Sequence, residues 1–304
     1  MADDIVFNKV LDLAPGVVED VAPGVRRILA DNPGPFTFKG TLTYVVGRGK
    51  VAVIDPGPAD ERHIAALLDA VRGETVTRIL ITHTHRDHSP AAAKIKAETG
   101  AVTAGEGPHR PSRPLFTGET ARLDAGGDAT FVPDQKLRHG DVVEGDAWAL
   151  EAIATPGHTA NHMAFALRGT DILFSGDHVM GWSTSIVAPP DGAMSDYMAS
   201  LRRLAERSES TYLPGHGDAI RNAPAYVEQL IRHRQGREAS ILDCLRNGEA
   251  TVADLVRAIY AGLDSRLFAA AGLSTLAHLE DLVARGVVMT EGAPTIGGRY
   301  RLAR

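Results

Sequence analysis

Residues 82–88 read Thr82-His83-Thr84-His85-Arg86-Asp87-His88. Three imidazoles and a carboxylate fall within six residues, directly after the apolar run 78–81. Histidines two apart at the end of a strand point the same way, because side chains there alternate with period two. A turn then brings Asp87 and His88 round to a neighbouring point, so one short segment can ligate two adjacent metal ions. Imidazole and carboxylate suit zinc, and also iron and manganese. A solvated polar loop is the plain alternative, and four ligand-type residues at this spacing argue against it.

Three later segments repeat the logic. Thr155-Pro156-Gly157-His158 follows the apolar run 150–154, Phe174-Ser175-Gly176-Asp177 follows Ile172-Leu173, and Leu213-Pro214-Gly215-His216-Gly217 follows a third short run. Each is a strand, a sharp turn with glycine, and one ligand-type residue at its tip. Glycine permits the tight path that aims the tip inward. Any one of them alone reads as an ordinary turn; with 82–88 they make a set of five histidines and two aspartates.

The elements that must carry these tips follow from periodicity. Short apolar or alternating runs at 25–30, 41–47 and 51–54 read as strands, with a hairpin turn at Gly47-Arg48-Gly49-Lys50. A helix is expected at 60–71, with Ile64, Leu67 and Leu68 on one face, then a strand at 78–81 and a helix at 89–98. An irregular stretch spans 104–140. Further strands are expected at 142–153, 163–167, 172–174 and 211–213, with a helix at 196–206. Two strand-rich halves with helices between them imply two sheets packed face to face under outer helices, an α/β architecture.

The composition changes near residue 232. Helices are expected at 237–246, from a Thr251 cap through Ala261, and from a Ser274 cap with Leu276, Leu279 and Leu282 inward and Gly286 as the stop. Residues 287–304 read as strand, glycine turn at Gly297-Gly298, and strand. Three helices plus a hairpin is a winged-helix pattern, so the chain divides into residues 1–230 and 231–304.

His83, His85, Asp87 and His88, then His158, Asp177 and His216, resemble the metallo-β-lactamase superfamily's metal ligands in type and in order. The chain further resembles the beta-lactamase-like protein 2 family through Val53-Ile54-Asp55-Pro56-Gly57, Thr155-Pro156-Gly157-His158-Thr159 with His162, Asp196-Tyr197-Met198-Ala199-Ser200-Leu201, His233-Arg234, and the tail 251–282. The resemblance implies an αββα sandwich followed by a winged-helix domain. It implies that His83, His85 and His158 hold one metal, that Asp87, His88 and His216 hold a second, and that Asp177 bridges two zinc ions, with iron or manganese as alternatives. Two dications about 3.5–4 Å apart repel strongly, so a bridging carboxylate is physically apt. The expected reaction is hydrolysis by a hydroxide held on the metal pair.

Members of the resembled family cut single-stranded RNA, which makes a phosphodiester the leading substrate here. A thioester or ester hydrolase resembling glyoxalase II is the alternative, although the tail does not look like that enzyme's glutathione-binding domain. A third reading is a nucleic-acid-binding regulator with a structural metal site; a ligand set without cysteine argues against it. Lactam opening is the least expected, because the Asp87 and Asp177 pattern is that of the non-lactamase members. The tail carries ten arginines against eight acids, a small excess that leaves no strong electrostatic footprint, and packing or homodimerisation over the active site is its other reading.

Lesser candidates surround the seven. Asp87 counts as catalytic as well as metal-binding. His162 either touches substrate and protonates the leaving group or packs behind the ligands. His178 should point away from the metals. Trp182, Ser183, Thr184 and Tyr197 either line the substrate pocket or pack over it, and Asp55 supports the metal loop from behind. His63, His109, His139, His233 and His278 lack ligand context and are expected on surfaces or helices.

The bulk properties bound the rest. At 304 residues the chain can form one large domain and a small one. A net charge of −6 excludes a broad basic surface. A single cysteine, Cys244, excludes an intrachain disulfide and a cysteine metal cluster. The first residues hold two acids and no apolar core of a secretory signal, and the apolar runs are too short to span a membrane. A cytoplasmic protein is expected.

Overall fold

The computed structural model describes residues 5–116, 126–260, 262 and 264–303. The chain opens with β1 (Val18–Ala22), β2 (Val25–Leu29), β3 (Leu42–Val46) and β4 (Lys50–Ile54), the last two joined by the expected hairpin turn. Asp60 then caps α1 (Glu61–Ala70), its carboxylate accepting from the His63 backbone N–H. β5 (Thr75–Leu80), α2 (Ala91–Thr99), β6 (Val102–Gly105) and β7 (Gln135–Lys136) complete the first half. These seven strands form one sheet in sequence order. Part of the irregular stretch 104–140 lies outside the described residues.

β8 (Val142–Glu144), β9 (Ala149–Ala154), β10 (Met163–Leu167), β11 (Ile172–Gly176), α3 (Met194–Ala205), β12 (Thr211–Pro214) and β13 (Ile220–Arg221) follow. Their strands make a six-stranded sheet ordered β13-β12-β11-β10-β9-β8. The single run expected at 142–153 is two strands. The chain turns between Gly145 and Trp148, and the Trp148 indole donates back to the Lys50 carbonyl.

One core lies between the sheets, with Leu42, Tyr44, Ile54 and Leu80 of the first against Leu150, Phe165, Phe174 and Leu213 of the second. A second seals α1 and α2 onto the outer face of the first sheet. A third seals α3 and the start of α4 (Ala223–Arg246) onto the other. This is the αββα order expected.

The tail is built from the end of α4, β14 (Ala250–Thr251), α5 (Val252–Ile259), a 3-10 turn at Ser265–Leu267, α6 (Phe268–Ala284), β15 (Val288–Thr290) and β16 (Arg299–Leu302). Its three strands pair in the order β14-β16-β15. Thr251 caps α5 through a capping box with Asp254, as expected; the expected end at Ala261 lies outside the described residues. Gly286, at φ +71°, follows the end of α6.

Two helix starts differ from expectation. The helix expected from 237 begins at Ala223, because Pro224 suits a first turn and Val227, Leu230 and Ile231 continue the apolar face. Ser274 caps nothing. It is buried in the middle of α6, which starts six residues earlier on the strong helix formers Ala269, Ala270 and Ala271.

Candidate metal centre

The seven tips meet at one end of the sandwich because the strands that carry them end there. His83 and His85 leave β5, and a turn closed by the His88 N–H on the His85 carbonyl (3.0 Å) brings Asp87 and His88 back beside them. His158 sits on the loop from β9 to β10, which the Thr155 N–H closes on the His162 carbonyl (3.0 Å). Asp177 and His216 leave the parallel neighbours β11 and β12, whose ends are joined by Gly215 N–H on the Gly176 carbonyl (2.9 Å). The two sheets are stitched together here by Met163 N–H to the Thr82 carbonyl (2.7 Å) and Leu42 N–H to the Gly215 carbonyl (2.8 Å). Gly215 is required: a Cβ there would stand 2.4 Å from Asp177 Oδ1 and 2.7 Å from the His88 ring.

Two donor groups result. One atom each of His83, His85, His158 and Asp177 lies within 4.8 Å of the others, and so do single atoms of Asp87, His88 and His216. In the first group His85 Nδ1 is 3.0 Å from both His83 Nε2 and His158 Nε2. In the second, Asp87 Oδ2 is 3.3 Å from His88 Nε2 and 3.2 Å from His216 Nε2. Asp177 stands between them. Its Oδ2 is 3.7 Å from His158 Nε2 and 3.3 Å from His216 Nε2, and its Oδ1 is 3.5 Å from His88 Nε2.

Four of the five imidazoles are aimed by their other nitrogen. Nδ1 of His158 donates to the Ile186 carbonyl (2.6 Å), Nδ1 of His216 to the Gly40 carbonyl (3.0 Å), and Nδ1 of His88 to Asp55 Oδ2 (2.9 Å). Nδ1 of His83 faces Thr82 Oγ1, which itself donates to Asp55. These bonds leave the Nε2 lone pairs of those four directed into the cluster, where His85 presents Nδ1 instead. Thr41 Oγ1 donates to Asp87 Oδ2 (3.0 Å) and fixes that carboxylate. A third grouping, of Asp55 with His83 and His88, also satisfies a simple distance test. Asp55 is spent on other bonds: it accepts from Thr82 N–H, Thr82 Oγ1 and His88. It holds the left-handed backbone needed to do so, at φ +49°.

The donors fit divalent cations. Bonds of about 2.0–2.1 Å in tetrahedral array place ligand atoms roughly 3.3–3.5 Å apart, the spacing found here. His88 Nε2 and Asp177 Oδ1 are buried without a hydrogen-bond partner, and such orphans imply a missing ligand. Burial, with positive neighbours, holds His83 well below its ordinary pKa and His85 down to about 3. Both are therefore neutral, as a metal ligand must be. Burial would also depress His88 and His216, but the carboxylates of Asp87 and Asp177 outweigh it, raising His216 to about 10. Burial works against the charged forms of Asp87 and Asp177, yet the surrounding histidines keep both well below the usual carboxylate range.

The lesser candidates separate clearly. His162 is buried behind the cluster, its ring stacked on His83 at 5.1 Å. Its Nδ1 meets Thr155 Oγ1 (2.8 Å) and its Nε2 accepts the Asp177 N–H (3.1 Å). Both nitrogens are thus engaged within the protein, behind the donor atoms. His178 packs 4.5 Å from Tyr197, facing away, and burial pushes it to about 3. Tyr197 is fully buried and is not among the residues that line the cavity described below. His63 and His278 lie on helices, as expected, but on their buried faces, whereas His109 lies on a loop with its side chain 4% exposed. His63 bonds Thr43, His109 bonds Thr84, and His278 lies on the inward face of α6. Only His139 of that group is exposed.

Several positioning groups carry no sequence signal. The carbonyls of Gly40 and Ile186 are backbone atoms. Asp128 accepts from Ser89 Oγ (2.7 Å), and Asn161 donates to Thr84 Oγ1 (2.8 Å), tying neighbouring loops to 82–88.

A cavity of about 250 Å³ lies between loop 180–186, Phe36, α4 and α6; none of the seven donors lines it, and loop 180–186 connects it to them. Trp182, Ser183 and Thr184 do line it. The loop adjoins the cluster at both ends: Ile186 holds His158, and Trp182 packs on Gly217, next to His216.

Residues 36–216 match the family model of the metallo-beta-lactamase superfamily. The chain belongs to that superfamily. Residues 251–298 match the beta-lactamase associated winged helix domain. Among curated relatives of this metallo-beta-lactamase chain is a beta-lactamase-like protein 2 homolog of Caenorhabditis elegans, 32% identical over 80% of this chain and 79% of that protein. Another is an atrochrysone carboxyl ACP thioesterase of Passalora fulva, 30% identical over 88% and 78%. A solved metallo-beta-lactamase family protein from Thermus thermophilus superposes with TM-score 0.74 at 26% identity, covering 93% of this chain and all of that one. A beta-lactamase domain protein from Burkholderia ambifaria, at 23% identity, shares the fold with TM-score 0.78 over 96% of both. The superfamily's fold, winged helix, hydrolase class and metal-binding cluster were all expected from the sequence.

Proposed function

We propose that this protein is a dinuclear zinc hydrolase of acyl thioesters. His83, His85 and His158 would hold one cation, Asp87, His88 and His216 the other, and Asp177 both. Bound divalent cations supply Lewis acidity and a water of lowered pKa. The chain's own residues do the rest. Asp177 sets Oδ2 beside His158 of one donor group and Oδ1 beside His88 of the other, Thr41 keeps Asp87 in place, and the Ile186 and Gly40 carbonyls fix the outer histidines. Loop 180–186 presents the substrate beside them.

The observation that carries the thioester reading is the engagement of both His162 nitrogens. An alkoxide leaving group needs an acid, whereas a thiol with pKa near about 8.5 departs as thiolate unaided. The thioesterase activity named for two relatives, matched over 78% and 76% of their lengths, supports the same reading. Single-stranded RNA is the second reading. What favours it is that the half-exposed Phe36 and Arg237 line the same cavity, since aromatic faces and cations together hold unstacked bases and phosphates. No helix of the described residues is long and apolar enough to cross a membrane, and with one cysteine we place the protein in the cytoplasm.

The test is a hydrolysis screen on purified, zinc-loaded protein with a glutathione thioester, an N-acetylcysteamine thioester, bis-p-nitrophenyl phosphate, single-stranded RNA, a lactone and a cephalosporin. Thioesters should react fastest, and Asp87→Ala should abolish that activity. RNA cleavage that Asp87→Ala removes, with thioesters untouched, would replace this reading by the second.

A further inference from the structure

We propose that the cavity between loop 180–186 and the winged-helix side of the molecule recognises an acidic group on the substrate, with Arg237 and Arg234 of α4 as its receptors. The inference rests on the hydrolase reading above and names the substrate class: short acyl thioesters that carry a carboxylate or a phosphate.

Charge is the first observation. Arg234, Arg237 and His233 line the cavity, and no carboxylate does among the described residues. Arg234 is 3% exposed and no acid among the described residues lies within ion-pair distance of it, Glu238 and Asp281 sharing only a second cavity with it on its other side. Its guanidinium rests over Tyr197 and donates to the Ser185 carbonyl, and its Nε is buried with no partner. Arg237 also lacks a carboxylate among the described residues; it stacks on Tyr260 at 4.6 Å. A buried guanidinium without a counter-ion is costly unless an anion completes it, and arginine is the side chain suited to forked contact with carboxylate or phosphate.

The lining supplies two more observations. Trp182 Nε1 and Ser185 Oγ are further buried polar atoms without partners. They sit on the loop whose next residue, Ile186, orients His158. The opposite wall is apolar, made by Phe36, Leu267, Ala270 and Ala271. At about 250 Å³ the space is at the small end for a ligand site and suits a chain of a few carbons. Thus the winged-helix side contributes the far wall and α4 the charge, while loop 180–186 joins the cavity to the metal cluster through the Ile186 carbonyl on His158. The acid can belong to the acyl half, as a distal carboxylate, or to the thiol half, as a carrier phosphate.

The experiment compares kcat/KM for glutaryl and hexanoyl thioesters, each on N-acetylcysteamine and on coenzyme A. Arg237→Gln should lower the preference for charged over uncharged substrate by about tenfold or more, through KM, as loss of a charge-assisted contact does. Arg237→Lys should restore part of it, and Arg246→Gln, which removes an exposed arginine elsewhere on α4, should not alter it. A loss confined to the glutaryl pair places the acid on the acyl half; one confined to the coenzyme A pair places it on the thiol half. An unchanged preference in Arg237→Gln overturns the proposal. A binding arm needs no turnover. Glutarate and inorganic phosphate, against neutral glutaramide, are titrated into Trp148→Phe protein, which leaves Trp182 as the reporter. Saturable anion quenching that Arg237→Gln weakens, in a protein that hydrolyses no thioester, would uphold the pocket and refute the thioesterase reading. No quenching by either anion would refute the pocket.

Discussion

Asp177 and His178 are adjacent in the chain and face opposite ways. The Asp177 carboxylate reaches 3.3 Å from His216 Nε2, while the His178 ring packs 4.5 Å from Tyr197 on the far side of the strand end. Asp177→Ala is therefore expected to drop metal content from near two per chain to one or fewer, because a bridging carboxylate offsets metal–metal repulsion. Hydrolysis should fall by at least about a hundredfold, beyond the upper loss seen when only supporting groups are removed. His178→Ala should keep its metal and lose only stability. Elemental analysis of the two variants side by side decides it, and equal full metal loading in both would refute the bridge.

The support behind the cluster gives a second expectation. Asp55 accepts the His88 Nδ1–H and two bonds from Thr82. Asp55→Asn keeps the shape, and asparagine tolerates the left-handed backbone at φ +49°. Its amide, however, cannot accept from all three donors. Metal affinity should fall by about 10–100-fold with the fold intact. A chelator competition that returned the wild-type affinity would show that Asp55 does not orient His88.

The seven donors are legible in the sequence because each ends a short apolar run and each is a residue type with few other uses in a glycine turn. Their orienting partners are not, since the Ile186 and Gly40 carbonyls are groups every residue has. His162 supports two readings because sequence order puts it near His158 but says nothing of its nitrogens. His63 and His278 are hidden for another reason. Each sits on the buried face of its helix, beside Ile64 and Leu279 respectively, where one polar residue does not disturb the apolar period. The start of α4 is obscured because the composition changes in the middle of that helix rather than at its beginning.

That helix bears on how the chain divides. Val227, Leu230 and Ile231 of α4 belong to the core under the second sheet, whereas Ile241 and Leu245 belong to the core of the tail. We propose residues 1–230 and 231–304 as two units that share this helix, with Gly236 between their cores. A methyl at Gly236 would meet nothing within 4 Å. Gly236→Ala should thus stabilise the protein by about 0.5–1 kcal/mol through helix propensity. Gly236→Pro should cost about 3 kcal/mol or more and uncouple the cores. Calorimetry would then resolve two transitions in the proline variant; a single transition at the wild-type temperature would refute the division.

The tail also carries an acid-sensitive group. His278 is 2% exposed, with neither ring nitrogen hydrogen-bonded. Burial, aided by Arg234, His233, Arg285 and Arg237, lowers its pKa to about 3. Glu238 and Asp281 line the same polar cavity, but they do not reverse that direction. In the unfolded chain the same imidazole titrates near about 6.5. As pH falls below that value the unfolded state binds the proton first, so stability is full above about pH 6.5 and is lost progressively toward pH 3. At pH 5 the loss traceable to this one group is up to about 2 kcal/mol. His278→Leu removes the titration and fills a similar volume. Urea unfolding of both proteins, each stripped of metal by chelator so that ligand release cannot contribute, should show the variant gaining on the wild type as pH drops from 7.5 to 5. Parallel stability curves over that range would mean that His278 is protonated in the folded protein, and that an acid across the cavity from it does pair with the ring.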